Sequence, residues 1–290
     1  MPPELSNDQI QTILQGIRIP PQPQILVDLQ MEQAMPSSDT DQIAQLIRQD
    51  VSLSGMMLKF VNSPFYGLRN KITSIEQALD LLGPSTVVNI VNGLSIKGEM
   101  SDDAIVRLTN FWDTATDIAM VSATIAKHIG ARNPDESYAL GLFHNAGIPL
   151  MLDRFRDYEN VMIEAYGSPT ERIIDMENRY FNTNHAVVGY YTAKSWNLPR
   201  PICDAIAEHH TVVPLFANRD ATHGDKKTLL ATLKIAEHLC GNYRVLGQQE
   251  EDYEWQQIET DVLEYVGLTS FDLSTMAENF RDMGIDAYWD

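Results

Sequence analysis

Apolar residues recur at steps of three and four through almost all of this 290-residue chain, and runs of strict alternation are scarce. Such spacing lines up one face of a helix and leaves a sheet no continuous apolar side, so the chain is predicted to be nearly all helix. Ile43, Leu46 and Ile47, continued by Leu53, Met56, Met57 and Phe60, form stripes interrupted near Asp50 and closed by the turn NSPFYG. Thr73-Ser74-Ile75-Glu76 reads as a capping box, and Gly83-Pro84 ends that helix and opens the next. A long helix is expected over roughly 103–129, with Ile118, Val121, Ile125 and Ile129 on one face and Gly130 at its end. Asn133-Pro134-Asp135-Glu136 and Ser168-Pro169-Thr170-Glu171 each join a capping side chain, a proline for the first helical position and a glutamate for the third.

Composition narrows the partners. Forty acidic residues against 21 basic ones leave a formal charge of -19, a field that repels phosphate backbones and anionic lipid. Direct nucleic-acid binding is not expected, and neither is membrane association. The N-terminus MPPELSNDQI lacks the basic-then-apolar order of a signal peptide, and no apolar run of membrane-spanning length occurs. The expected location is the cytoplasm. Cys203 and Cys240, the two cysteines, sit among apolar neighbours as ordinary buried thiols. From residue 250 to 290 there are 12 acids against Arg281 alone, yet Tyr253, Trp255, Ile258, Val262, Leu263 and Val266 keep helical spacing. That pattern predicts packed helices with an acidic outer face, since a disordered acidic tail would carry few large apolar groups.

The stretches IRQDVSLSGMMLKFVNSPFYG and ITSIEQALDLLGPSTVVNIVNGLSI, then FWDTATDIAMVSATIA, GLFHNAGIPLML and NHAVVGYYTAKSWNLPRPICDAIAEHH, follow one another in an order that resembles the HDOD family. These are output domains related to the HD and HD-GYP metal-dependent phosphohydrolases. The resemblance implies an all-helical bundle, an N-terminal helical subdomain packed on an HD-like one. The boundaries expected are an N-terminal helix over 1–17, the HDOD domain over 18–240, divided at 100/101, and the acidic C-terminal helices over 241–290 packed on it.

The same resemblance locates a site and its deficits. Active HD-type proteins draw metal ligands from a long-helix histidine, a His-Asp pair, further histidines and a late aspartate. Here those positions carry Thr114, the pair His144-Asn145, then His185, His209 and His210, and finally Glu237. A hydroxyl stands for an imidazole and a neutral amide for a bridging carboxylate, so hard ions such as magnesium or manganese lose the oxygens they need. Three or four imidazoles still suit one residual zinc or nickel ion, although no cofactor is required. Each histidine also has a structural reading: a helix end at His144, a helix start at His185, and the face of Ile202 and Ile206 for His209. His128, His223 and His238 match no motif and are expected on the surface or in packing, and Tyr190, Tyr191 and Trp196 in the core.

Phosphate-cradling, dinucleotide-binding, redox and nucleophile-elbow motifs are absent. The function expected is a non-catalytic bacterial signal-transduction module with a degenerate metal site, working through a protein partner or a small anion or nucleotide. The alternative is a metal-dependent phosphohydrolase acting on a nucleotide or cyclic dinucleotide.

Overall fold

A computed structural model describes residues 7–35, 39–62, 68–88, 90–91, 109–218, 224–282 and 285. Among them every regular element is helical and no strand occurs. No described helix is long and apolar enough to cross a membrane. The chain divides into two compact units, residues 21–107 and residues 1–20 with 108–290.

The unit over 21–107 contains α2 (Gln24–Ala34), α3 (Thr40–Gln49), α4 (Val51–Val61) and α5 (Ile75–Leu82). Asp39 caps α3 by accepting from the Asp41 N–H. Asp50 ends that helix, and its carboxylate accepts from the Leu53 N–H in the first turn of α4, so one residue makes the interruption expected there. Ile43, Ala44 and Ile47 are buried with Leu53, Met57, Ile75 and Leu79, whereas Leu46 is only half-buried. The capping box lies one residue further on than the sequence suggested. Ser74 is the cap and accepts from the Gln77 N–H, and the Gln77 side chain accepts from the Thr73 N–H. Glycine at position 83 takes φ +80°, which terminates α5, and residues 84–88 are again helical. Asn62 clamps the intervening loop by bonding both the N–H and the C=O of Ile72 at 2.7 Å. Residues 63–67 of NSPFYG, the side chains of Met56 and Phe60, and positions 103–108 of the predicted long helix lie outside the described residues.

The larger unit holds α1 (Asn7–Leu14) and twelve further described helices. Those that build the site are α6 (Thr109–His128), α7 (Pro134–Phe143), α8 (Gly147–Arg154), α9 (Tyr158–Tyr166), α10 (Ile173–Phe181), α11 (His185–Ser195) and α12 (Arg200–Glu208). After them come α13 (Val212–Ala217), α14 (Gly224–Leu239), α15 (Asn242–Gly247), α16 (Tyr253–Val266) and α17 (Ser270–Asp282). Ile118, Val121 and Ile125 are buried as the periodicity of α6 required, and Gly130 follows it at φ +70°.

Two helix starts depart from expectation. Pro134 opens α7 as predicted, but Asn133 makes no side-chain cap. Ser168 does accept from the Glu171 N–H, yet this closes a turn only. Arg172 continues extended at ψ 147°, and α10 begins at Ile173. Trp196 is fully buried, with its indole N–H donating to Pro20 C=O, whereas Tyr190 and Tyr191 are half-buried rather than core. Cys203 and Cys240 are free and buried. In α16, Trp255, Ile258, Val262 and Leu263 face inwards, while Glu264 is exposed and Glu254, Glu259 and Asp261 are half-buried.

Two glycines set how closely the site helices approach. A Cβ at Gly141 would lie 2.7 Å from the Ala119 Cα, so α7 presses backbone to backbone on α6. At Gly147 it would lie 2.1 Å from the His185 carbonyl oxygen, where α8 crosses the start of α11. The ends of α7 and α11, with His144 and His185, are thereby drawn into one region.

Candidate functional site: a buried imidazole and carboxylate cluster

The ends of three helices deliver the four histidines. His144 follows the last turn of α7, and its Nδ1 lies 2.7 Å from Gly141 C=O. His185 opens α11 behind Asn184, whose side chain caps the helix by accepting from the Val187 N–H. His209 and His210 close α12, and His209 Nδ1 lies 2.7 Å from Ile206 C=O. All four histidines are buried. Their rings meet with centroids 5.4 Å apart for His144 and His209, 5.1 Å for His185 and His209, and 4.2 Å for His209 and His210.

The Nδ1 partners fix the tautomers. A carbonyl only accepts, so His144 and His209 carry their proton on Nδ1. His185 Nδ1 is 2.7 Å from the Glu177 carboxylate, and His210 Nδ1 is 2.9 Å from that of Glu254. Carboxylates accept too, so Nδ1 carries a proton at His185 and His210 as well, and each ring turns its Nε2 away from these partners. His185 Nε2 and His209 Nε2 face each other at 3.2 Å. With both protons committed to Nδ1, a hydrogen bond across that contact requires a further proton or a cation. Burial holds His209 well below the ordinary imidazole value, and the neighbouring charge of His210 and Lys234 acts in the same direction. His210 is also lowered, because burial outweighs the pull of Glu254. The Nε2 atoms of His144 and His210 meet no hydrogen-bond partner among the described residues.

Beneath His185 the carboxylate of Glu177, fully buried, accepts from the Tyr158 hydroxyl and the His185 backbone N–H as well. On the other side of the cluster stands a second set of charges. Lys234 Nζ lies 2.7 Å from Glu237 Oε2 and 2.8 Å from Glu254 Oε2. Glu237 Oε1 accepts from Asn242 at 3.1 Å and lies 3.4 Å from His144 Nε2. Burial raises the Glu237 carboxyl, but the Lys234 ammonium and His144 outweigh it, so the net displacement is well below the usual range. Glu254 is lowered for the same kind of reason, with His210 and Lys234 overcoming burial.

Thr114 and Asn145 line one small void with His144, Asn242 and Leu246, and it has no room for a water molecule. Asn145 Oδ1 meets no donor among the described residues. His144, His185, His209, His210, Asn145 and Glu237 thus lie together in one buried region, with Thr114 half-buried at its edge. The group whose ligand atoms all lie within 4.8 Å of one another is narrower: His185, His209 and His210, with His144 outside it. His128 is exposed, His238 pairs with Asp252 at 3.0 Å and stacks on Trp255, and His223 lies outside the described residues.

Sequence reasoning missed Glu177, Lys234, Asn242 and Glu254. Glu177 carried a signal, since it follows Ile173 by four and Ile174 by three on the apolar stripe of α10. Lys234 carried one too: it is a charge inside the apolar run LLATLKIA. Glu254 carried none, because an acid in the first turn of a helix reads as a response to the helix dipole.

The described helices gather four histidines from the ends of three helices, the all-helical arrangement that the resemblance to the HDOD family implied. The chain belongs to the HDOD domain family, whose model matches residues 19–212. It is similar to an uncharacterized protein of Treponema pallidum (strain Nichols), 27% identical over 198 residues, which are 67% of this chain. The chain spans only 38% of that relative's length. Among solved structures it is similar to a candidate phosphohydrolase from Shewanella amazonensis SB2B, with TM-score 0.67 and 18% identity over 97% of this chain and 96% of that one. It is also similar to a candidate signal transduction protein from Marinobacter aquaeolei VT8, with TM-score 0.65 and 17% identity, covering 94% of this chain and 59% of that one. At these identities the likeness establishes the helical fold.

The carboxylate-bridged pair of hard ions expected of an active HD centre does not fit these residues. Thr114 and Asn145 supply no anion, their shared void admits no water, and Lys234 already pairs with one oxygen each of Glu237 and Glu254.

Proposed function

We propose that this protein is a non-catalytic signal-transduction module of the HDOD family, working through a protein partner or a small bound ligand. The observation that carries the reading is the composition of the ligand group: His185, His209 and His210 converge with no carboxylate among them. Two-metal hydrolysis of a phosphodiester needs oxygens that bridge and neutralise two cations, so that an ionised water and the leaving oxygen are both stabilised. Three neutral nitrogens cannot supply that charge. The neutral amide of Asn145 and the hydroxyl of Thr114 support the same reading, and so does the closed void they share with His144.

Turnover assays test it. The full chain, given manganese, magnesium or zinc, is expected to hydrolyse neither bis(p-nitrophenyl) phosphate nor a cyclic dinucleotide above the rate of buffer. Hydrolysis that His144→Ala abolishes would overturn the reading and restore the phosphohydrolase alternative.

A second reading is favoured by the facing Nε2 atoms of His185 and His209 at 3.2 Å: one borderline ion, zinc or nickel, held by the three imidazoles as a structural or sensory centre. Glu177 and Ile206 C=O would then orient two of the ligands through Nδ1, as carboxylates and carbonyls do behind metal-bound histidines. Elemental analysis of purified protein checks this; less than stoichiometric zinc or nickel after loading, or loading unaffected by His209→Ala, would exclude it.

A further inference from the structure

Where two carboxylates largely shielded from water converge in a metalloprotein, a divalent cation commonly lies between them. Here the convergence is between Glu237 on α14 and Glu254 on α16, and the position is already taken. Lys234 is itself buried, and its ammonium contacts one oxygen of each acid, at 2.7 Å and 2.8 Å. The remaining oxygens are engaged as well. Glu237 Oε1 accepts from Asn242 at 3.1 Å, and Glu254 Oε1 faces His210 Nδ1 at 2.9 Å. The other buried lysine of this unit, Lys227, is held differently. Its ammonium donates to Asn218 C=O at 2.7 Å and lies over the rings of Phe216 and Tyr265, with no carboxylate among those partners.

We infer that Lys234 is a resident cation: its ammonium occupies the position between Glu237 and Glu254 that a metal ion would take, so that this half of the centre is assembled without metal. Geometry and charge carry the inference. A buried carboxylate beside a second that is only 24% exposed is costly without a counter-charge, so the pair takes up a proton or a cation, and a side chain anchored three residues before Glu237 supplies one at fixed stoichiometry. A lysine differs from a bound ion in that it cannot dissociate. The union of α14 with α16 is therefore independent of divalent-ion concentration. The inference rests on the reading that this half of the centre has left catalysis, and extends it by naming what replaced the ion.

The test uses the full chain, wild type and Lys234→Met, which keeps an unbranched stem and removes the charge. Manganese is the probe because it prefers the carboxylates to the imidazoles, and loss of the aqueous Mn2+ paramagnetic resonance signal reports binding. Wild type is expected to leave that signal unchanged. Lys234→Met is expected to bind manganese at least about tenfold more tightly than wild type, the factor that corresponds to about 1.4 kcal/mol, to be destabilised in EDTA, and to regain unfolding temperature as Mn2+ is added. Adding Glu237→Gln should abolish the uptake, whereas adding His185→Ala should not. Should Lys234→Met fail to fold, the triple variant Lys234→Met, Glu237→Gln, Glu254→Gln is expected to fold without metal, because both charges leave with their counter-charge. Three results would overturn the inference: Mn2+ uptake by wild type that Glu237→Gln removes, a folded Lys234→Met with no manganese response, or a triple variant as crippled as the single one. Phosphodiester hydrolysis by wild type would count against the proposed function instead, so the two failures are distinguishable.

Discussion

The imidazole half and the carboxylate half of the cluster hold their donor atoms in opposite ways. Around His185 and His209, acceptors fix each Nδ1–H and leave the Nε2 lone pairs turned towards each other. Around Glu237 and Glu254 the oxygens are engaged by Lys234, Asn242 and His210. The lesson is that an acid can keep its place in the chain and still be withdrawn from metal chemistry by one lysine a turn earlier. No ammonium contacts the Nε2 atoms of His185 and His209 among the described residues, and they face each other.

The largest expected effect probes the anchor of the imidazole half. Glu177→Ala leaves the Tyr158 hydroxyl and His185 Nδ1 without their shared acceptor, and breaking a buried arrangement of this kind costs about 3–5 kcal/mol. Urea unfolding at neutral pH measures it. A loss below about 1 kcal/mol would mean that this anchor is dispensable and the contrast between the halves is weaker than drawn.

Acid titration separates the halves. His209 and His210 are depressed in the folded protein, so the unfolded chain takes up protons first as pH falls below the ordinary histidine value of 6.5. Their contribution is complete above pH 6.5 and is lost towards the lower folded values, at up to about 1.4 kcal/mol per pH unit for each group. Glu237 and Glu254 are depressed as well, from 4.5, so a second loss should begin only below pH 4.5. Unfolding measured in EDTA from pH 8 to about pH 2 should show both slopes, and His209→Leu should reduce the first while the second remains. A single slope confined to pH values below 4.5 would remove the imidazole half from the comparison.

Restoring the missing acid should not restore the centre. Asn145→Asp buries a carboxylate at a void with no room for water, at a cost of at least about 1–3 kcal/mol, with no manganese-dependent hydrolysis gained. Thermal unfolding and the phosphodiesterase assay read the two parts of that expectation. The smallest effect belongs outside both halves. Arg172, 45% exposed and paired with Asp175, should lose no more than about 1 kcal/mol on replacement by alanine. A larger loss would mean that the cluster extends to the surface.

How much of this was legible depends on the kind of signal. Helices were, because burial imposes a period: Ile118, Val121 and Ile125 lie where α6 needs them. The start of α10 was not, because Ser168, Pro169 and Glu171 satisfy a capped turn as well as a helix, and the extended backbone at Arg172 decided between them. Thr114, His144, Asn145, His185, His209, His210 and Glu237 were placed by resemblance, and they lie together. Their counter-charges were harder to find. Lys234 and Glu177 each broke an apolar pattern that a closer reading would have marked. Glu254 reaches His210 across 44 residues, and nothing local announces such a pairing.

That long-range bond has a practical side. The family match stops at residue 212, yet the partner that fixes the His210 ring comes from α16. A polypeptide trimmed to the matched span would leave the His210 ring without the carboxylate that fixes its Nδ1. The recognisable signature and the smallest autonomous folding piece of this protein are therefore different lengths, and expression of isolated fragments should extend past Val266.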